Sequence, residues 1–213
     1  MVTYISLSVF TYLVKQLIEE YVMTMILEQH SQEIDPRELI KNIAWDALRS
    51  QVMFGVAHRV WRRISGQLDP LKDRLFFPKV RVSRVHYSSV DSTGTGTSML
   101  SALLIVPDTP VGVSKMPIFG FQHGTIIDSA GAPSQFDPKK PTATIEALLG
   151  IILASLNGYV VAMADYPGLG DDTDNIQPYV SEKPLAQSVI DLLLATKQHV
   201  AERWDQKIYL TGY

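Results

Sequence analysis

Tyr159-Val160-Val161-Ala162-Met163-Ala164-Asp165-Tyr166-Pro167-Gly168-Leu169-Gly170 is a short, unbroken apolar run that stops on an acidic residue and a Pro/Gly turn. Such a run, bounded by turn residues and free of polar alternation, reads as a strand buried on both faces. Upstream, Thr142 to Leu156 predicts a helix that is apolar nearly all round and closed by Asn157-Gly158. Downstream, Pro184 to Arg203 predicts an amphipathic helix carrying Val189, Leu192, Leu193, Thr196 and Val200, followed by a short strand at Ile208–Leu210. Before the first of these helices, Met116 to Phe121 predicts another buried strand, running into Gln122-His123-Gly124-Thr125. Strand, helix, strand, helix, strand is the order of an α/β fold, with parallel strands covered by helices on both faces.

Further out, the periodicity changes. Val80 to Tyr87 alternates in its first half, Ser92 to Gly96 is a turn, and Met99 to Val106 is an apolar strand stopped by Pro107. Together they predict an antiparallel hairpin ahead of the parallel strands. Residues 3–66 read as helical: Tyr4, Leu7, Phe10, Val14, Leu17, Tyr21 and Met25 recur at a helical period. A second helix starts at Asp35 as cap, with Pro36 in its first turn and Glu38 completing a capping box, and runs towards Gly66. The chain therefore divides into a helical N-terminal region, 1–75, and an α/β body, 76–213. An apolar helix face packed on the body is the simplest role for residues 1–66. Arg59, Arg62 and Arg63 beside Trp61 leave a membrane-surface or partner helix as the alternative.

Composition removes several classes. Of the 213 residues, 46% are hydrophobic and 19% charged, which suits a packed core rather than disorder. A net charge of -3 leaves no basic footprint for nucleic acid. With no cysteine, disulfides, thiolate metal sites and a thiol nucleophile are excluded. Val2 to Val14 is apolar, yet no Lys or Arg precedes it, Lys15 interrupts it, and no small-residue cleavage site follows. It is also short of the ~20 apolar residues that span a bilayer. The compartment stays open, with the cytoplasm slightly favoured over secretion or membrane association.

The body resembles the α/β-hydrolase superfamily, in its esterase/lipase-like, secretory-lipase-like branch. The resemblance covers roughly residues 80–213. It rests on the Tyr87…Gly96…Ser101-Ala102…Pro107 hairpin, the His123-Gly124-Thr125 turn, the Ala164-Asp165-Tyr166-x-Gly168-x-Gly170 turn, and Gln177-Pro178-Tyr179 ahead of Ser188-Val189-Ile190-Asp191. The last strand, ending Thr211-Gly212-Tyr213, resembles the approach to a Gly-x-Ser-x-Gly nucleophile elbow. The resemblance implies an incomplete α/β-hydrolase sheet and a serine carboxylic-ester hydrolase acting on a small-molecule ester or lipid-like substrate. It implies that the Thr125 N–H is an oxyanion-hole donor, with Gly124 letting the backbone turn and His123 bracing the loop. Serine, acid and histidine follow in that chain order, so the triad would lie beyond Tyr213. The chain as given would then be inactive alone and would need a completing C-terminal chain. A noncatalytic remnant or binding module, or a membrane-surface helical protein, is the alternative.

The remaining candidates read as follows. Tyr166, Pro167 and Tyr179 are candidate lining of an apolar cleft. Asp165 is expected to organise the Tyr166–Gly170 turn by accepting its backbone N–H groups. Asp171-Asp172-Thr173-Asp174-Asn175 lacks the glycine and distal glutamate of a calcium loop and reads as a solvated acidic loop. Gly168-Leu169-Gly170 lacks the third glycine of a dinucleotide fingerprint, Thr173 standing there instead. No cofactor or metal is therefore expected. His30, His58, His86 and His199 have no carboxylate or histidine at ligand spacing and read as surface or helix-end residues. None of Ser129, Ser134, Ser155 and Ser181 sits in a nucleophile context.

Overall fold

A computed structural model describes residues 26–39, 78–108, 115–140 and 144–212. The helix expected from Tyr4 to Met25, nearly all of the one expected beyond Asp35, the boundary at 75/76, His58 and Tyr213 lie outside the described residues.

Among the described residues six strands form one sheet: β1 (Leu27–Ile34), β2 (Val80–Val90), β3 (Thr97–Pro107), β4 (Met116–Phe121), β5 (Val160–Ala164) and β6 (Trp204–Thr211). Their spatial order is β1-β2-β3-β5-β4-β6. The neighbouring pairs β1–β2, β2–β3 and β3–β5 are antiparallel, whereas β5, β4 and β6 are parallel. Helix α1 (Ile145–Asn157) connects β4 to β5, and α2 (Glu182–His199) connects β5 to β6. The fold class is α/β, with a hairpin followed by parallel strands, as the sequence predicts.

The strand period places the core. Along β5, Val161 and Met163 point into a cluster with Ala147, Leu148, Ile151 and Ala154 of α1. Val160, Ala162 and Ala164 point the other way, to Leu192, Leu193 and Ala195 of α2. Successive side chains of a strand face opposite sides, so only an unbroken apolar run can feed two cores at once. That is why β5 carries no polar alternation. α1 ends at Gly158, whose left-handed φ of 69° aims its N–H at Ala154 O, 2.9 Å away.

The N-terminal reading needs one correction. Leu27–Ile34 is a strand, not helix, and pairs antiparallel with β2 from Leu27↔His86 to Ile34↔Val80. Its residues are mostly polar and exposed, with Ile34 buried. No side-chain period announces such an edge strand, because the backbone ladder to β2 makes it. Beyond it, Asp35 does start a helical turn at residues 36–39: its Oδ1 accepts the Arg37 N–H at 2.9 Å, and Leu39 is buried.

α1 offers a direct test of which of its apolar residues hold the fold. Ile151 is fully buried, whereas Leu149 is 46% exposed. Ile151→Ala is expected to lower unfolding stability by about 2–5 kcal/mol in urea titration, and Leu149→Ala by less than about 0.5 kcal/mol. Equal losses would show that the helix is not seated as described.

Candidate active site

Because β4, β5 and β6 are parallel, all three deliver the residues that follow them to one end of the sheet. After β4, residues 122–127 have no regular structure. The Gln122 N–H donates to Thr211 O at 2.9 Å, which ties the start of this turn to the end of β6. His123 is 5% exposed. Its Nδ1 lies 2.7 Å from Gly124 O and its Nε2 3.3 Å from Asp165 O. The ring thus bridges the turns after β4 and β5, and as a neutral imidazole it donates to one of those carbonyls at a time. Thr125 is exposed, and its N–H has no hydrogen-bond partner among the described residues. Gly212 stands close by, its α-carbon facing the Gln122 side chain.

Tyr166 stacks at a tilt on His123, ring centroids 4.4 Å apart. Its φ of 69° is in the left-handed region that residues with a side chain seldom occupy. Its hydroxyl is 3.4 Å from Gln122 Oε1, and burial pushes its phenol pKa up. Pro167 is buried, and Tyr179 is 62% exposed in the segment before α2. Of the three candidate cleft residues, Tyr166 is the one in contact with His123.

Beneath these turns lies a polar network that the sequence reading did not find. Asp165 is fully buried. Its Oδ2 accepts the Ser101 hydroxyl at 2.6 Å and its Oδ1 accepts the Ser134 N–H at 2.9 Å. Ser101 Oγ in turn accepts the Asp171 N–H at 2.9 Å. Burial, the largest influence, raises the Asp165 pKa, opposed by hydrogen bonds from Ser101 and Ser134 and by His123. Asp165 therefore organises the turn, but not through the turn's own N–H groups: it reaches Asp171 through Ser101. The Gly168 N–H is taken instead by Asp172 Oδ2, at 2.9 Å.

Two further expectations are corrected. The 171–175 segment is not simply solvated. The Asp171 carboxylate receives Arg84 Nη1 at 3.2 Å and Gln135 Nε2 at 3.0 Å and lies 3.1 Å from His86 Nε2. Asp172 is buried and accepts Asn175 Nδ2 at 2.9 Å. His86 is buried against Asp171 rather than at the surface, whereas His199 is the helix-end residue expected, its Nε2 3.2 Å from Glu28 Oε1. Arg84 completes the clamp, donating from Nε to Ser134 O and from Nη2 to Gln135 Oε1. The partners of Arg84 and His86 sit 50 to 87 residues away along the chain, so no local spacing reveals them. The available signal is on β2 itself: Arg84 and His86 share the face of Val80 and Val82, where apolar residues would otherwise continue.

Among the described residues, no group of three or more His, Asp or Glu could hold a metal ion, and no helix is long and apolar enough to cross a membrane. His86, His123 and His199 contact Asp171, backbone carbonyls and Glu28 respectively, not a serine hydroxyl.

A mixed sheet of this order, with helices on both faces and turns gathered at the ends of its parallel strands, is an α/β-hydrolase-like fold. Solved structures share it. A hydrolase from Legionella pneumophila superposes with a TM-score of 0.61 at 21% identity, over 87% of this chain and 43% of that one. The rice cell wall degrading esterase LipA from Xanthomonas oryzae superposes with a TM-score of 0.60 at 22% identity, over 90% of this chain and 42% of that one. The chain thus spans less than half the length of either protein. No protein-family model and no curated protein matches the sequence.

The network makes two measurable demands. A Cβ at Gly170 would collide with Asp165 Oδ2 and Ser101 Oγ, and φ there is 62°; at Gly158 φ is 69° but the space is open. Gly170→Ala should destabilise by about 2–4 kcal/mol and Gly158→Ala by about 1–2 kcal/mol, measured by urea unfolding. Asp165 has a raised folded-state pKa, so its contribution is fully present below the unfolded value of 3.8 and lost as pH rises through the folded one. Asp165→Asn cannot ionise. Wild-type stability relative to this variant should fall as pH rises above about 4; a flat or rising difference would show that the carboxyl is not strained by burial.

Proposed function

We propose that these residues form the oxyanion-binding part of a serine carboxylic-ester hydrolase, esterase- or lipase-like, acting on a small-molecule ester or lipid-like substrate. The observation that supports this reading is the turn after β4. There the exposed Thr125 N–H is left without a partner, while His123, one residue before Gly124, is buried and pinned to the neighbouring turn. Acyl transfer places negative charge on the former carbonyl oxygen, and a fixed backbone N–H stabilises that charge without reorganising when it forms. Thr125 serves through its backbone, Gly124 lets the chain turn inward, and His123 with Tyr166 fixes the turn. Gly212 and Tyr213 form the approach to the elbow, whose following residue supplies the second donor. In the chain order of such hydrolases the nucleophile, acid and base follow this strand.

The test is a fluorophosphonate probe with a p-nitrophenyl ester assay. The 213 residues should not label, whereas a protein in which an elbow serine, acid and histidine follow them should label and hydrolyse. In that protein Thr125→Pro, which removes the N–H, should lower kcat by about 10²–10³-fold, and Thr125→Ala should leave it near the parent value. Labelling of a serine in the 213-residue chain would overturn the proposal.

A further inference from the structure

Residues 40–77 leave and re-enter the fold at one corner. Ile34, at the end of β1, is the register partner of Val80, at the start of β2. Leu39 is 3% exposed and belongs to the core cluster that holds Leu148, Ile151 and Ala154 of α1. On the returning side, the Ser155 hydroxyl donates to Pro78 O at 2.8 Å. Ser155 lies in the last turn of α1, so the segment starts and finishes beside the C-terminal end of that helix.

The direction and phase of its first residues are set as well. Asp35 caps the turn at 36–39, and the Leu39 N–H donates to Asp35 O at 3.2 Å, the first bond of a helix. A buried Leu39 fixes which side of a continuing helix faces the protein. Ile40, Ile43, Ala44, Ala47 and Leu48 fall on that side at three- and four-residue spacing, whereas Lys41, Asn42, Trp45, Asp46 and Arg49 fall on the other.

α1 offers a matching surface. Ile152 is only partly buried, and Leu156 is 49% exposed beside Ser155. Helices cross most often at about −50°, which confines a contact to about two turns. Such a crossing, starting at the C-terminal end of α1, covers Ile152 and Leu156 and leaves Leu149, nearer the N-terminal end, in solvent. The alanines on the approaching face let the two backbones come close.

We propose that residues 40–48 continue the turn of 36–39 as a helix whose apolar face docks on Ile152 and Leu156 of α1. The opening stretch of this second helix is then part of the α1-side core rather than a membrane-surface element. The docking is independent of any hydrolase chemistry.

Amide exchange on the full 213-residue chain tests it. Residues 43–48 should exchange about tenfold or more slower than an unstructured peptide. Ile152→Lys with Leu156→Lys should abolish that protection while β5 stays protected, and Leu149→Lys should leave it intact. The chain has no cysteine, so Ile43→Cys with Leu156→Cys should form a disulfide within one chain on oxidation, and Ile43→Cys with Leu149→Cys should not. Should the lysine pair unfold the chain, the disulfide pair decides. Fast exchange at 43–48 in the parent, or protection that survives the lysine pair, would overturn the proposal. So would protection that arises only with anionic vesicles, or a disulfide formed only between chains.

Discussion

A carboxylate sealed from water has to be satisfied in place, and Asp165 is satisfied by two groups from different parts of the chain. One is the Ser101 hydroxyl on β3 and the other is the Ser134 N–H in the segment after β4. A buried charge left without such partners costs several kcal/mol, so the turn after β5 cannot sit where it does unless both are present. Ser101 carries the constraint onward to the Asp171 N–H, and the Asp171 carboxylate carries it to Arg84, His86 and Gln135. The end of the sheet where His123 and Thr125 lie is thus bolted to the β2–β3 hairpin through one continuous chain of hydrogen bonds. The same chain of bonds leaves the Asp165 carbonyl facing His123.

What could be read from the sequence follows from what each element depends on. β5 feeds two cores by itself, so its unbroken apolar run states its position. The β2–β3 hairpin closes on Asp91, whose Oδ1 accepts the N–H groups of Thr93, Thr95 and Gly96, a local arrangement written in six residues. β1 has no such signature, because its pairing with β2 is a property of two backbones. Asp171 looked solvated for a similar reason: its neighbours Asp172 and Asp174 are acidic, while its partners Arg84 and His86 lie more than 80 residues back.

The candidate site divides along the same line. The His123-Gly124-Thr125 turn was legible as a turn, because a buried strand must end somewhere and glycine marks the place. The support beneath it was not. Residue type alone marks Tyr166 as cleft lining, yet its ring stacks on His123 and its backbone is left-handed, features set by the folded turn. The fold is shared with an esterase and a hydrolase, of each of which this chain spans less than half the length.

β1 carries a consequence for the order in which the sheet is put together. Ile34 and Val80 are register partners, so the whole of residues 35–79 must be looped out before this pair can meet. The β2–β3 hairpin needs only residues 91–96 between its strands. On loop-closure statistics the longer excursion carries about 2 kcal/mol more chain entropy. Six exposed polar or charged residues of β1 return little apolar burial against it. The first of the described strands is thus the most loosely committed member of the sheet, a late addition to a hairpin that can form without it.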